Sequence, residues 1–191
     1  PYRKKRLKPG DEVLIPSLCW STSLWPIIQS GLKPKFVDID LETLNVNLKD
    51  LKKKISKKTK AVLIVHVLGN CVDMTELMYL IKRHKLILIE DTCESLGTKF
   101  KNKYLGTFGD FSSFSFYSSH QISSGEGGMI CCKNNEDHEI IKSLRAHGWS
   151  RGLKNEKKIA AANKHLDSRF IFYNSGFNLR STDIAASIGL N

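Results

Sequence analysis

Residues 61–91 read AVLIVHVLGNCVDMTELMYLIKRHKLILIED. Two short runs in this stretch, 61–66 and 86–89, are apolar at nearly every position, which is typical of strands buried on both faces of a sheet. Between them, Asp73 is suited to cap a helix over residues 74–84. A strand, a helix and a second strand in this order predict a parallel β-α-β unit, so the sequence favours an α/β fold.

The alternation of strands and helices continues on both sides of this unit. Further strands are predicted at residues 12–15, 36–39, 110–116 and 128–132. Further helices are predicted from Ser21 or Thr22 to Gln29, from the capping residue Asn47 to about Ser56, from Asn135 to His147 and from Asp183 to Leu190. The lysine-rich stretch 152–168 has no clear period and is predicted to be a surface excursion. Because there is no internal repeat or low-complexity linker, we expect one domain.

The composition is that of a globular protein. Of 191 residues, 41% are hydrophobic and 26% are charged, and no run approaches the roughly 18 apolar residues of a membrane span. The formal net charge is +11, but the excess lysines are scattered through helix-like stretches without an aromatic-interleaved basic stripe. We therefore expect neither a membrane nor a nucleic-acid partner.

The cysteines favour a reduced, cytoplasmic protein, because they are odd in number and form no CxxC pattern. They are Cys19, Cys71, Cys93, Cys131 and Cys132. The first residues, 1–3, include no initiator methionine, and residues 188–191 end within a helical pattern. We expect the chain to be a fragment.

Two acids, Glu90 and Asp91, end the second strand of the β-α-β unit. In open α/β sheets, ligands bind beyond the carboxyl ends of the strands, so Asp91 is suited to meet a cofactor. Capping of the following turn is an equally good interpretation of either acid. The position alone leaves both open.

A serine- and glycine-rich segment follows, DFSSFSFYSSHQI at 110–122 and GEGG at 125–128. Its hydroxyl and backbone N–H groups could bind a phosphate. Together with GDEV at 10–13, FVDID at 36–40, EDTCESLG at 90–97 and GFNLR at 176–180, it resembles the DegT/DnrJ/EryC1/StrS family of pyridoxal-phosphate (PLP) sugar aminotransferases. The resemblance runs from about residue 9 to 191.

This resemblance implies an aspartate-aminotransferase-like (type I PLP) large domain, with a mostly parallel sheet flanked by helices. Residues 1–191 would be a partial PLP-binding domain. A phosphate-binding segment would precede it, and a small domain would follow it.

His120 departs from the family pattern. The segment that resembles residues 115–121 ordinarily ends in the lysine that holds the cofactor as a Schiff base, and the nearest lysines here, Lys103 and Lys133, are 17 and 13 residues away. A histidine-bearing branch of the family removes the C3 hydroxyl of nucleotide-activated 4-keto-6-deoxyhexoses. In that branch, His120 would be the base that acts when the cofactor is the amine, pyridoxamine phosphate. For a lone histidine, a buried or capping role is the alternative.

The other site residues are carried over from the resemblance. Asp91 would pair with the pyridine nitrogen, and Glu94 would lie beside the ring hydroxyl, where aminotransferases often have glutamine. Ser115 would bind the phosphate, Asn178 would be lent to it by a partner subunit, and Trp20 would stack on the ring. Without the family, Trp20 is interpreted as core, Ser115 as a strand-end hydroxyl and Asn178 as a turn residue.

The resemblance further implies a choice between two dehydratase subtypes. One has a [2Fe-2S] cluster on closely spaced cysteines after a helix that matches the one ending near residue 148. Here the matching stretch, WSRGLKN at 149–155, has no cysteine, and the adjacent Cys131 and Cys132 point to opposite faces of a strand. We therefore expect no metal site.

The hypothesis is a metal-free, pyridoxamine-phosphate-dependent C3 deoxygenation of a nucleotide-diphosphate sugar, with glutamate as amine donor and a homodimer when full length. It would serve dideoxysugar synthesis for a surface polysaccharide. One alternative is a sugar aminotransferase that uses a lysine from outside the motif. Another is a non-catalytic cofactor- or partner-binding homologue.

Overall fold

A computed structural model describes residues 7–190, so Asn191 and the first six residues of the predicted 1–191 domain lie outside the described residues. The strands are β1 (Glu12–Pro16), β2 (Lys33–Val37), β3 (Thr59–Val65), β4 (Ile87–Asp91), β5 (Lys99–Phe100), β6 (Lys103–Tyr104), β7 (Phe111–Ser115) and β8 (Gly128–Cys132). The α-helices are α1 (Ser21–Gln29), α2 (Leu48–Lys54), α3 (Met74–His84), α4 (Asn135–Arg145), α5 (Glu156–Ala162) and α6 (Asp183–Gly189). Short 3-10 turns occupy Val67–Gly69 and Ser168–Phe170.

Six strands form one sheet in the order β2-β1-β3-β4-β7-β8, and β5 and β6 form a separate hairpin. Every pairing in the large sheet is parallel except that of β7 with β8. The predicted α/β fold with a mostly parallel sheet is confirmed.

Both faces of the sheet are covered, as the apolar runs predict. Within β3, Val62 and Ile64 join one buried cluster, together with side chains of α2 and α3. Ala61 and Leu63 join a second cluster, which includes Ile27 of α1. Because successive side chains of a strand point to opposite faces, the two clusters are the two sides of the sheet.

The helix inside the β-α-β unit begins and ends where the sequence predicts. The Asp73 carboxylate accepts hydrogen bonds from the backbone N–H groups of Thr75 and Glu76, at 2.8 and 3.2 Å. Lys85 follows the helix in the left-handed region, with φ 54°. Asn47 likewise caps α2, since its side chain accepts a hydrogen bond from the N–H of Asp50 at 3.1 Å.

Other predicted boundaries were wrong. Trp20, and not Ser21 or Thr22, is the N-cap of α1; its backbone is extended, and the structure gives its side chain no capping hydrogen bond. Strand β2 lies at 33–37 instead of 36–39, because it pairs with β1 from Lys33 onward. The polar residues of β2 are tolerated since it lies at the edge of the sheet.

The stretch predicted as a surface excursion, 152–168, contains helix α5. Ile159 of this helix packs with Leu153 and Ile171 in a small buried cluster. Three apolar residues spread over 19 positions give no periodic signal in the sequence, so the helix was not predicted.

Glu90, the penultimate residue of β4, is fully buried and holds the turn that leads into β7. Its carboxylate accepts hydrogen bonds from the backbone N–H groups of Gly106, Phe108 and Gly109, and it lies 3.2 Å from Nε2 of the equally buried His66. Burial raises the pKa of Glu90, but the hydrogen bonds from His66, Gly109 and Gly106 outweigh it, and the net pKa is lowered.

We predict that Glu90→Gln destabilises the protein by about 2–4 kcal/mol, because the amide loses charge-assisted bonds and turns an N–H group toward backbone donors. The exposed Glu42→Gln is the matched control. Urea unfolding near pH 7 measures both.

The destabilisation caused by Glu90→Gln should also depend on pH. A carboxyl with a lowered folded-state pKa stabilises above its ordinary value of 4.5 and loses this effect as the pH falls through the folded value. The difference between the wild type and Glu90→Gln therefore shrinks in acid. Equal unfolding free energies for the two variants at pH 7 would contradict this role.

Candidate active site

The predicted site lies at the carboxyl ends of the parallel strands. Asp91 is the last residue of β4, and Ser115 is the last residue of β7. Trp20 lies in the connection that follows β1. Because parallel strands point the same way, these ends share one edge of the sheet.

The Asp91 carboxylate is held by neutral donors from three elements. Oδ2 accepts a hydrogen bond from the buried Ser23 hydroxyl of α1 at 2.8 Å. Oδ1 accepts one from the N–H of Cys93 at 3.2 Å and lies 3.4 Å from the Ser113 hydroxyl of β7. Within residues 7–190, no lysine, arginine or histidine side chain forms an ion pair with Asp91.

The two acids have different surroundings. Asp91 caps the turn at Cys93, as an ordinary strand-end carboxylate can. In the described part of the chain, no cationic side chain forms an ion pair with it. Glu90, on the opposite face of the same strand, is a structural anchor.

The two cysteines near Asp91 are neutral thiols. Burial, followed by the hydrogen bond to Asp91 and its charge, raises the pKa of Cys93 to about 12. Burial and the charge of Asp91 also raise the pKa of Cys19. Neither thiol competes with Asp91 as an anionic group near neutral pH.

Glu94 forms hydrogen bonds with Leu68 and with Gln121, the residue that follows His120. The Glu94 carboxylate accepts a hydrogen bond from the N–H of Leu68 at 3.0 Å. Its backbone carbonyl accepts one from the Gln121 side chain at 2.6 Å. The structure thus holds the residue after His120 against the loop that follows Asp91.

His120 itself is partly buried. Its ring lies edge-on to Tyr117, with 5.8 Å between ring centres. Nδ1 is buried and has no hydrogen-bond partner among the described residues. A buried ring nitrogen without a partner is costly.

The lysines nearest to His120 in sequence lie at the other end of β7. Lys133 donates to the backbone carbonyl of Phe108, and Lys103 lies 4.2 Å from the centre of the Phe108 ring. Phe108 precedes the start of β7, whereas His120 follows its end. Neither lysine is positioned to replace His120.

The remaining predicted residues are less closely connected. Trp20 is 75% exposed and caps α1, so it is not core. The Ser115 hydroxyl accepts a hydrogen bond from the N–H of Tyr117 at 3.2 Å. Asn178 is exposed, pairs with Ala146 and accepts a hydrogen bond from Arg180; none of the contacts described joins it to Asp91, Glu94 or His120.

Three residues of this region were not predicted as part of the site: Ser23, Ser113 and Gln121. Ser113 could have been found from the strand register, since it pairs directly with Asp91. Ser23 lies 68 residues from Asp91 in sequence, and only the packing of α1 on the sheet brings them together. Gln121 carried no signal beyond its place next to His120.

In residues 7–190, no group of three or more histidine, cysteine or acidic side chains is arranged to hold a metal ion. Over the same residues, no helix combines the length and apolar character needed to cross a membrane. All five cysteines are free thiols.

Comparison with known proteins identifies close relatives. Residues 2–191 match the model of the DegT/DnrJ/EryC1/StrS aminotransferase family. The chain is 40% identical over 190 residues, 98% of its length, to GDP-4-keto-6-deoxy-D-mannose 3-dehydratase of Escherichia coli O55:H7, covering 49% of that protein. It is also 41% identical over 181 residues, 95% of its length, to GDP-perosamine synthase of Vibrio cholerae, covering 45% of it.

A solved structure supports the same relationship. The E. coli GDP-4-keto-6-deoxy-D-mannose-3-dehydratase with bound hydrated PLP matches 99% of this chain, with a TM-score of 0.91 and 40% identity, over 49% of its own length. The chain therefore spans about half the length of the relatives it matches. By sequence and by structure, the chain belongs to the DegT/DnrJ/EryC1/StrS aminotransferase family.

Proposed function

We propose that this chain is part of a PLP- and pyridoxamine-phosphate-dependent sugar 3-dehydratase. The substrate is a nucleotide-linked 4-keto-6-deoxyhexose, which loses its C3 hydroxyl. The proposal is carried by His120, which the family resemblance sets where other members have their lysine. It lies next to the Glu94 loop, and its buried Nδ1 has no partner among the described residues.

The described residues fit the cofactor. Asp91 presents a carboxylate that has only neutral donors around it, which suits a protonated pyridine nitrogen. Glu94 lies three residues after Asp91 in the sequence, and its carboxylate would face the ring hydroxyl of the cofactor. The Ser115 hydroxyl at the end of β7 would bind the phosphate, and the exposed Trp20 indole would cover one face of the ring.

When bound, pyridoxamine phosphate supplies an amine that condenses with the C4 ketone and a ring that takes up electrons. Asp91 would pair with the ring nitrogen and favour its protonated form. The His120 imidazole would accept the proton released at the C4′ carbon. Because histidine titrates near neutral pH, the same ring can then protonate the departing C3 hydroxyl as water.

The relatives support this assignment in part. Two proteins named GDP-4-keto-6-deoxy-D-mannose 3-dehydratase, from E. coli and from Yersinia pseudotuberculosis, are 40% and 38% identical to the chain. One solved structure of such a dehydratase, matching with a TM-score of 0.89, is described with a trapped PLP-glutamate geminal diamine, which supports glutamate as the amine donor here.

A sugar aminotransferase is the second candidate, since GDP-perosamine synthase of Vibrio cholerae is equally similar in sequence. Such an enzyme would need a lysine near Asp91. Lys103 and Lys133 are both engaged around Phe108, at the far end of β7, which favours the dehydratase.

The whole protein would act in dideoxysugar synthesis for a surface polysaccharide. We further propose that it is cytoplasmic and that it forms a homodimer in which Asn178 completes the phosphate site of the partner. The exposure of Asn178 and its separation from the contacts around Asp91 agree with this role.

We predict that His120→Asn leaves the affinity for pyridoxamine phosphate unchanged but lowers the rate of C3 deoxygenation at least about 100-fold, because only the base is removed. His165→Asn, at an exposed position, is the matched control and should retain full activity. Unchanged turnover in His120→Asn would show that another group is the base. If the unmodified protein fails to bind pyridoxamine phosphate, the non-catalytic alternative is favoured.

Borohydride reduction separates the dehydratase from the aminotransferase. With PLP bound to the full-length wild type, we expect no lysine peptide that carries the reduced cofactor. His120→Lys should yield that peptide at position 120, together with a shift in the absorbance of the cofactor. A labelled lysine in the wild type would contradict the dehydratase, and an unlabelled His120→Lys would mean that position 120 does not face the cofactor.

A further inference from the structure

A hydrogen bond from the side chain of Ser23 connects α1 to Asp91. The Ser23 hydroxyl donates to Asp91 Oδ2 at 2.8 Å, and Ser23 is only 8% exposed. It is the third residue of the nine-residue helix α1. The first turn of the helix therefore lies beside the carboxylate.

The same turn of backbone also carries Trp20. The N–H of Ser23 donates to the carbonyl of Trp20 at 3.0 Å. The first turn of α1 thus presents Trp20 outward, at 75% exposure, and Ser23 inward to Asp91. Two groups with different roles in the proposed site are fixed by one short piece of chain.

Among the described residues, the Ser23 hydroxyl donates to Oδ2 of Asp91, and the Cys93 thiol also forms a hydrogen bond with the carboxylate. The N–H of Cys93 and the hydroxyl of Ser113 both lie on the side of Oδ1. The titratable neighbours are the thiols of Cys19 and Cys93, which Asp91 helps to keep neutral. No described ion pair would hold the carboxylate if the hydroxyl were removed.

We infer that Ser23 is a positioning residue, which fixes the orientation of the Asp91 carboxylate and thereby the protonation of the cofactor's ring nitrogen. This inference rests on the proposed function, because it requires Asp91 to face that nitrogen. It assigns a role to α1 that neither the strand-end position of Asp91 nor the serine-rich loop would indicate. Removal of the hydroxyl would leave the carboxylate without its hydrogen bond from α1.

The test uses the full-length protein and pyridoxamine 5′-phosphate labelled with ¹⁵N in the ring. The dissociation constant is measured by titration, and the ring-nitrogen chemical shift is followed against pH to give the midpoint of its protonation. Ser23→Ala should weaken binding about fivefold, the equivalent of one hydrogen bond, and lower that midpoint. Ser23→Thr, which retains the hydroxyl, should restore both values.

Three further variants define the outcome. Ser21→Ala, at an exposed position of the same turn, should change neither value. Ser23→Cys keeps the size of the side chain but donates only weakly, so it should fall between Ser23→Ala and the wild type. Asp91→Asn should lower the midpoint more than any Ser23 variant.

The results distinguish the inference from the proposed function. If Asp91→Asn lowers the midpoint but Ser23→Ala does not, Ser23 has no positioning role and the proposed function stands. Weaker binding of Ser23→Ala with an unchanged midpoint would mean a structural role only, which also overturns the inference. If the unmodified protein does not bind the labelled cofactor, the proposed function itself fails.

Discussion

The alternation of side chains along β4 separates a structural acid from an acid of the proposed site. Glu90 and Asp91 are consecutive, so their carboxylates must point to opposite faces of the sheet. Glu90 is buried among backbone N–H groups of the turn before β7. Asp91 points to the face that α1 covers. Glu90 therefore holds the turn that leads into β7. Asp91 lies at the end of β4, in the proposed cofactor site.

The burial of Glu90 has a consequence for the site. The turn 106–109 leads directly into β7, which carries Ser113 and Ser115 to the edge where Asp91 lies. A shift of β7 by one residue would turn both side chains to the opposite face of the sheet. The stability of an internal anchor and the geometry of the proposed cofactor site are thus linked through a single strand.

The sequence predicts the strong periodic elements well. The β-α-β unit, the caps Asp73 and Asn47 and the strand Gly128–Cys132 are confirmed, because in each case local pattern and tertiary packing favour the same structure. Strand β2 and helix α5 were misjudged because they are fixed by pairing with β1 and by three distant apolar contacts. Long-range packing of this kind produces no periodic pattern within a short window of sequence.

The candidate site likewise contains residues that the sequence indicates and contacts that only the fold brings together. Asp91 and His120 are predicted from strand-end position and family resemblance. The contacts around them depend on the fold, as with Ser23, 68 residues from Asp91, and Gln121 against the Glu94 carbonyl. The departure from the family at His120 determines the proposed reaction. An imidazole can move a proton but does not tether the cofactor as a Schiff base, which is why we propose elimination at C3 in place of nitrogen transfer at C4.

The identity of the product tests this account most directly. The full-length protein would be incubated with pyridoxamine phosphate, glutamate and GDP-4-keto-6-deoxymannose, and the sugar nucleotide analysed by mass spectrometry. If the protein is a sugar 3-dehydratase, the product has lost one oxygen atom and gained no nitrogen. A product that retains the C3 oxygen and carries a new amino group would contradict it.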